Sequence, residues 1–486
     1  MKQKAVDSKW LVLIIAIATP LLGFILYLAR YHVGISQISI PSSAWNDEFF
    51  YYKQIEAMVH YGIPKGYFGY NESRAIIGNL GGWSIAMLLP FAAIGKLFGW
   101  TYITPVVINV ILWICGFVYF AVCLKPTVRQ QVLVSFVWLA YSINIRYIFS
   151  AAPESLIVVL LFIFAVSFVR FNKDTNQLKW LVIADASLFY LTFIRGYYIL
   201  FVLLILATVF QEEKRLNKTI VIQIVVALFA VVGYVLIVHY GIAQYFTPDV
   251  STDWLTNPKV LIKNNILGML ESFQYVGQAL VLKSMRGSWY IIYYLLLPYM
   301  IYKCIKTKDL VNYAILISWF VLLIAMWTIY NAQEGCRHLM ACSLVYLMLL
   351  AYADVRQVTS CIYIAIMVYS TWLSQEDFFS PILPVNEVQM QTIAQGKEAL
   401  DQLMPLSDDG WDNTVIYTRS AVFNDLYAIP AGFGINCCLD GYVQENFDVL
   451  NSKYIAAKAE SEIDDFLAER CELIIKYGQT NIYKIR

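Results

Sequence analysis

The sequence predicts a polytopic α-helical membrane protein that carries a small α/β domain at its C-terminal end. Three observations predict it. Only 14% of the 486 residues are charged and 59% are hydrophobic, whereas a soluble globular chain carries about 25% charged residues. Apolar runs of bilayer-spanning length recur between residues 10 and 374. Beyond residue 375 the chain turns acidic and polar, with short runs of strand-forming residues.

The apolar runs fall at 10–29, 101–124, 131–150, 155–171, 180–194, 197–211, 218–239, 287–303, 311–330, 338–355 and 358–374, which gives about eleven spanning helices. The first has no small-residue cleavage site after it and reads as a retained helix. A further run, "GGWSIAMLLPFAAIGKLFGW" (81–100), is short and contains Pro90, Gly95 and Lys96. The distribution of cations decides its placement. If 81–100 lies along the interface, then Lys125/Arg129, Arg170/Lys173/Lys179, Lys214/Arg215/Lys218 and Lys303/Lys306/Lys308 all fall on the side of the N-terminus, which itself carries Lys2, Lys4 and Lys9. That arrangement obeys the positive-inside rule, and a spanning 81–100 would break it. The sequence therefore predicts a membrane domain over 1–375 with a cytoplasmic N-terminus, outer loops at 30–100 and 240–286, and an extracytoplasmic domain over 376–486. Strand-like runs in that domain are "TVIYT" (414–418), "CELIIKY" (471–477) and "NIYKI" (481–485), with a charged, helix-prone stretch at 443–470.

Net charge is +1, so there is no basic excess to attract nucleic acid. The nine cysteines fit no zinc spacing, and most lie in apolar runs as small apolar residues.

The few charges gather at one membrane face. Asp47 and Glu48 lie in "SAWNDEFFYY" (43–52), where an acidic cap on a helix start is the plain account of one carboxylate. If the segment is helical, Tyr51 sits one turn beyond Asp47. Glu154 follows Pro153 in "SAAPESL", an ordinary helix start. Arg146 falls in an apolar run on roughly the face of Glu154, and an ion pair between them competes with a catalytic role. Arg195 in "LTFIRGYY" reads either as a headgroup-snorkelling arginine or as a phosphate ligand, with Gly196 supplying the bend. Glu334, Arg337 and His338 share another outer turn, where an i,i+3 pair is the plain account of the first two. Glu72 and Arg74 lie in the first outer loop, Lys283 and Arg286 end the second, and Asp185 has no evident partner. A carboxylate beside several cations at this depth suits transfer from an anionic lipid: the carboxylate deprotonates an acceptor hydroxyl, and the cations neutralise the departing phosphate.

In this setting residues 1–355 resemble the membrane-embedded GT-C glycosyltransferases that use polyprenyl-phosphate sugars, such as protein O-mannosyltransferases and the lipid A aminoarabinose transferase family. The resemblance rests on "DEFFY" at 47–51, the aromatic and charged continuation "GYFGYNESRAIIGNLGGWS" (66–84), "PES" around Glu154, "IRG" at Arg195, "SWYIIYY" (288–294) and "RHLMA" at Arg337. The chain departs from the family's pattern in having Arg for Lys at 195, Glu-Ser for Asp-Pro at 154–155, and no proline in 337–341. The resemblance implies an inverting transfer from a polyprenyl-phosphate sugar to a glycan, lipid or protein acceptor at the outer face of a cell membrane, bacterial by expectation. Asp47 would be the base, with Glu48 in support. Arg195 and Arg337 would lie on the lipid phosphate, and Glu154 would orient substrate. It calls for no cofactor and no metal, although relatives acting on oligosaccharides use a divalent cation. Competing readings are a lipid-linked sugar flippase or transporter, which should show midplane charges and matching broken helices, a polysaccharide polymerase or ligase, served by the cations of 240–286, and a non-catalytic membrane scaffold.

Overall fold

The structure, a computed structural model, describes residues 2–38, 46–64, 68–72, 85–236, 257–282, 285–353, 387–407, 411–418, 421 and 423–485. Its first half comprises α1 (Lys2–Tyr31), α2 (Asn46–Tyr61), α3 (Leu89–Phe98), α4 (Thr104–Leu124), α5 (Val128–Ala140), α6 (Ser142–Arg146), α7 (Glu154–Lys173), α8 (Leu178–Ile194), α9 (Val202–Glu213) and α10 (Lys218–Val235). Then come α11 (Pro258–Leu282), α12 (Met285–Thr307), α13 (Leu310–Ile329) and α14 (Ala332–Ala353).

Among the described residues six helices are long and apolar enough to cross a membrane: Ser8–Tyr31, Thr104–Leu124, Glu154–Lys173, Gly196–Glu213, Lys218–Val235 and Leu310–Ile329. This is an integral membrane protein. The remaining predicted runs behave differently for identifiable reasons. The run 131–150 is not straight: Val128–Ala140 and Ile143–Phe149 meet at 73°, and they make a seventh crossing only if taken as one bent span. Helix α8 has 17 residues, α12 is diluted by tyrosines and lysines, and 358–374 lies outside the described residues. The ambiguous run 81–100 ends as the ten-residue α3. At 1.5 Å per residue that helix reaches roughly 15 Å, half a bilayer core. The predicted loop 240–286 contains a full helix, α11, whose Asn265 and Ser272 hydrogen-bond Thr328 of α13 and Tyr294 of α12. Exposed Ile262, Ile266, Leu270 and Phe273 cover its other face.

The C-terminal region forms a six-stranded sheet of β1 (Phe68–Tyr70), β2 (Thr414–Thr418), β3 (Gly434–Cys438), β4 (Tyr454–Lys458), β5 (Glu472–Tyr477) and β6 (Thr480–Lys484), in the order β1-β3-β2-β4-β6-β5. The first four strands in that order pair parallel, and β6 and β5 close the sheet antiparallel. Strand β1 comes from the first loop, so the sheet is built from both ends of the sequence. The stretch 443–470 is not continuously helical: β4 interrupts it, and only Glu462–Arg470 is a long helix, capped by Ser461 accepting from the Asp464 amide. Side chains alternate along β2. Ile416 packs into a small core with Val443, Ile463 and Leu467, while Val415 and Tyr417 join the large core that runs into the membrane helices.

Helix α2 makes that junction. Its run Phe49-Phe50-Tyr51-Tyr52 is buried. Phe49 meets Tyr417 and Tyr427 edge-on at 6.4 and 5.2 Å, and Tyr52 stacks on Tyr102 at 5.7 Å. Aromatics therefore fix the helix that carries Asp47 and Glu48 between sheet and membrane core.

Candidate active site

Segment 146–154, between α6 and α7, organises the site. The chain turns there because Pro153 caps α7, and because Asn109 of α4 donates from Nδ2 to the carbonyls of Tyr147, Ile148 and Ser150 at 3.2, 3.1 and 2.8 Å. Asn109 is wholly buried, and it satisfies backbone oxygens that the bend takes out of helical pairing.

Two ion pairs issue from this segment. Arg146 Nη2 donates to Glu48 Oε1 and Oε2 at 2.8 and 3.1 Å, and Ser150 Oγ donates to Oε1 at 2.8 Å. Ser150 is itself held by the Ala152 amide at 2.9 Å. Both charged side chains are sealed, with 2% and 0% exposure. Arg146 therefore pairs with Glu48, not with Glu154. The expected shared face required one helix through 146–154, and the bend removes it.

Glu154 instead accepts from Arg195 Nη2 at 2.8 Å, the guanidinium retaining 13% exposure and the carboxylate 5%. Glu154 Oε2 is buried with no hydrogen-bond partner among the described residues. The phenols of Tyr197, Tyr198 and Tyr51 lie within electrostatic reach of Arg195. Tyr51 is on α2, four residues past Asp47, so the two positions share a face of that helix. Gly196 needs no unusual backbone angle. A Cβ there would lie 2.9 Å from the Tyr234 ring of α10, so the glycine serves close packing and not the bend alone.

His338 of α14 joins the same end. Its Nδ1 shares a hydrogen bond with the Tyr197 hydroxyl at 2.9 Å, and its ring stacks on Tyr330 at 4.6 Å and 23°. Arg337 precedes it on the helix, and its side chain lies outside the described residues, as do those of Asp47, Glu334 and Arg286 and the whole of Arg74 and Lys283.

Other candidates lie elsewhere. Glu72 accepts from the Asn451 and Ser452 amides, Oε2 at 2.8 Å and Oε1 at 2.6 Å, which ties the first loop to the turn before β4. Asp185 has a partner after all: Gln223 of α10 donates to it at 2.7 Å. The sequence reading missed Lys53 and Glu56, which form a buried pair on α2. Lys53 also donates to the Ile429 carbonyl at 2.5 Å, and Lys397 of α15 (Glu387–Leu403) reaches Glu56 at 2.6 Å. Burial pulls the Lys53 ammonium down. Burial pushes the Glu56 carboxyl up, but the two lysines outweigh it and hold the group below the ordinary carboxylate range. An i,i+3 Lys–Glu pair inside an aromatic helix was the available signal.

Among the described residues no three His, Cys, Asp or Glu side chains converge as a metal site.

No family model matches the sequence, and no curated protein matches it. Solved structures do. The crystal structure of ArnT from Cupriavidus metallidurans bound to undecaprenyl phosphate aligns over 97% of both chains, at 8% identity and a TM-score of 0.51. The chain has the fold of ArnT. The apo structure of that protein aligns over the same shares at 10% identity, with a TM-score of 0.43. The likeness in fold that the resemblance implied for residues 1–355 thus extends over 97% of the chain.

Proposed function

We propose that this protein is an inverting glycosyltransferase that moves a sugar from a polyprenyl-phosphate lipid to an acceptor hydroxyl at the outer face of the membrane. The observation that carries the proposal is the Arg195–Glu154 pair. The guanidinium keeps some exposure, the pair stands at a helix end, one carboxylate oxygen has no hydrogen-bond partner among the described residues, and Tyr51, on the helix that carries Asp47, lies within electrostatic reach of Arg195. An ArnT crystal structure holds undecaprenyl phosphate, the kind of anionic lipid that such a cation would bind.

In this reading Asp47 takes the acceptor proton while the hydroxyl oxygen attacks the anomeric carbon from the face opposite the phosphate. The C–O bond to phosphate breaks, and the polyprenyl phosphate leaves with its negative charge held by Arg195 and Arg337. Glu154 aims Arg195 and offers its second oxygen to substrate. Glu48 and Arg146, sealed against each other, position α2. His338, fixed between Tyr197 and Tyr330, lines the same end. No metal enters the scheme.

The test supplies the purified protein with a panel of labelled polyprenyl-phosphate sugars and a membrane extract as acceptor source. Label transferred with release of free polyprenyl phosphate is the expected result, and the reactive member names the sugar. Lipid-sugar binding without release would move the flippase reading to the front.

A further inference from the structure

A second feature opens away from this site. Helices α7, α9, α12, α13 and α14 enclose an apolar cavity of roughly 300 Å³, walled by Phe164, Phe201, Trp319, Cys342, Tyr346 and Leu350. It begins about one turn inside His338, at Cys342, and runs to Val169, which lies roughly 22 Å along α7 from Glu154 at 1.5 Å per residue. Its walls are buried at Trp319 and Cys342, while Thr307 and Ala353 at the far end are exposed. It therefore opens at the membrane end opposite the Glu154–Arg195 pair.

The charged and amide side chains of its lining, and its one threonine, stand at that mouth: Lys303, Thr307 and Asn312. Asn312 Nδ2 donates to Thr307 Oγ1 at 2.8 Å, and the Lys303 ammonium stands 5.4 Å from the Tyr299 ring centroid. More cations surround the opening, with Arg170 and Lys173 ending α7 and Lys306 ending α12. An apolar cavity with its cationic group at one end matches an amphiphile with one anionic head. A volume of roughly 300 Å³ suits one short chain, an acyl chain and not a polyprenyl tail.

We propose that this cavity is a lipid site that takes one acyl chain of an anionic phospholipid, with its phosphate at Lys303. The proposal is independent of the transferase reading, because the cavity mouth and the candidate transfer site sit at opposite membrane ends. Basic residues next to a bilayer attract anionic lipid, and the tube converts that general attraction into a defined seat. An occupied cavity also restores packing contacts that an empty one forfeits.

The experiment uses the full-length protein in detergent, with phosphatidylglycerol and phosphatidylcholine of matched chains as probes, read by native mass spectrometry and by thermal unfolding. Wild type should retain one phosphatidylglycerol per chain and bind it about fivefold or more tightly than phosphatidylcholine, the preference expected from one cation near the surface. Lys303→Gln should erase the preference while leaving the chain-dependent binding. Leu350→Trp, which fills the tube, should lower retention of both lipids. Because Leu350→Trp could misfold, the rim variant Lys303→Gln keeps the test decisive. Equal binding of the two lipids by wild type, retention unchanged in both variants, or a polyprenyl phosphate in place of phospholipid would overturn the proposal.

Discussion

The two ion pairs held by segment 146–154 use the same residue types and do opposite things. Glu48–Arg146 is closed: its carboxylate receives the guanidinium and the Ser150 hydroxyl, and neither side chain reaches solvent. Arg195–Glu154 is less closed: the guanidinium is 13% exposed, and one buried carboxylate oxygen has no hydrogen-bond partner among the described residues. A sealed pair can only brace structure, whereas an open one can exchange its partner for a substrate phosphate. Eight residues of sequence thus separate a sealed pair from one that keeps some exposure.

Breaking the brace should have the largest effect on stability. Arg146→Met leaves a buried carboxylate uncompensated, and removing one partner of such a pair costs about 3–5 kcal/mol. The expected outcome is a large drop in thermal unfolding temperature or loss of folded protein. Glu48→Gln combined with Arg146→Met should recover much of that loss, because no isolated charge remains.

The open pair should respond differently. Arg195→Gln keeps a donor for the buried Glu154 carboxylate and is expected to lose less unfolding temperature than Arg146→Met, yet to bind polyprenyl phosphate more weakly by about 1.5–3 kcal/mol, roughly ten- to a hundredfold. Arg195→Lys should restore part of the affinity, since a point charge replaces the planar fork. Equal thermal losses at Arg146 and Arg195 would erase the distinction.

The smallest effect belongs to Lys397, whose side chain is 38% exposed. Lys397→Met should cost about 1 kcal/mol or less at neutral pH. Its pH dependence has a definite sign. With the Glu56 carboxyl held below its ordinary value of 4.5, the stabilisation is present above that value and disappears as pH falls through the lower folded one. The difference in unfolding temperature between wild type and Lys397→Met should accordingly vanish in acid.

Much of this was legible in the sequence. The apolar runs gave the helical class, and "TVIYT" is β2 residue for residue. Arg195 and Glu154 were both singled out, and they meet. What the sequence concealed was pairing across distance. The assumed face shared by Arg146 and Glu154 fails because Asn109 and Pro153 bend the chain between them. Strand β1 is three residues, "FGY", too short to announce itself, and it forms because β3 offers a parallel edge. Strand β4 includes Ala456 and Ala457, helix formers that sheet pairing overrides. Tyr197 and Tyr330 became partners of His338 only when three separate turns converged.

The central claim is that Asp47 is the base of a transfer reaction, and it meets its most direct test in Asp47→Asn, assayed beside wild type with the reactive polyprenyl-phosphate sugar. The account predicts an unchanged unfolding temperature, retained lipid binding, and transfer lower by two or more decades, the scale of a lost general base. A folded Asp47→Asn protein that transfers sugar at the wild-type rate would contradict it.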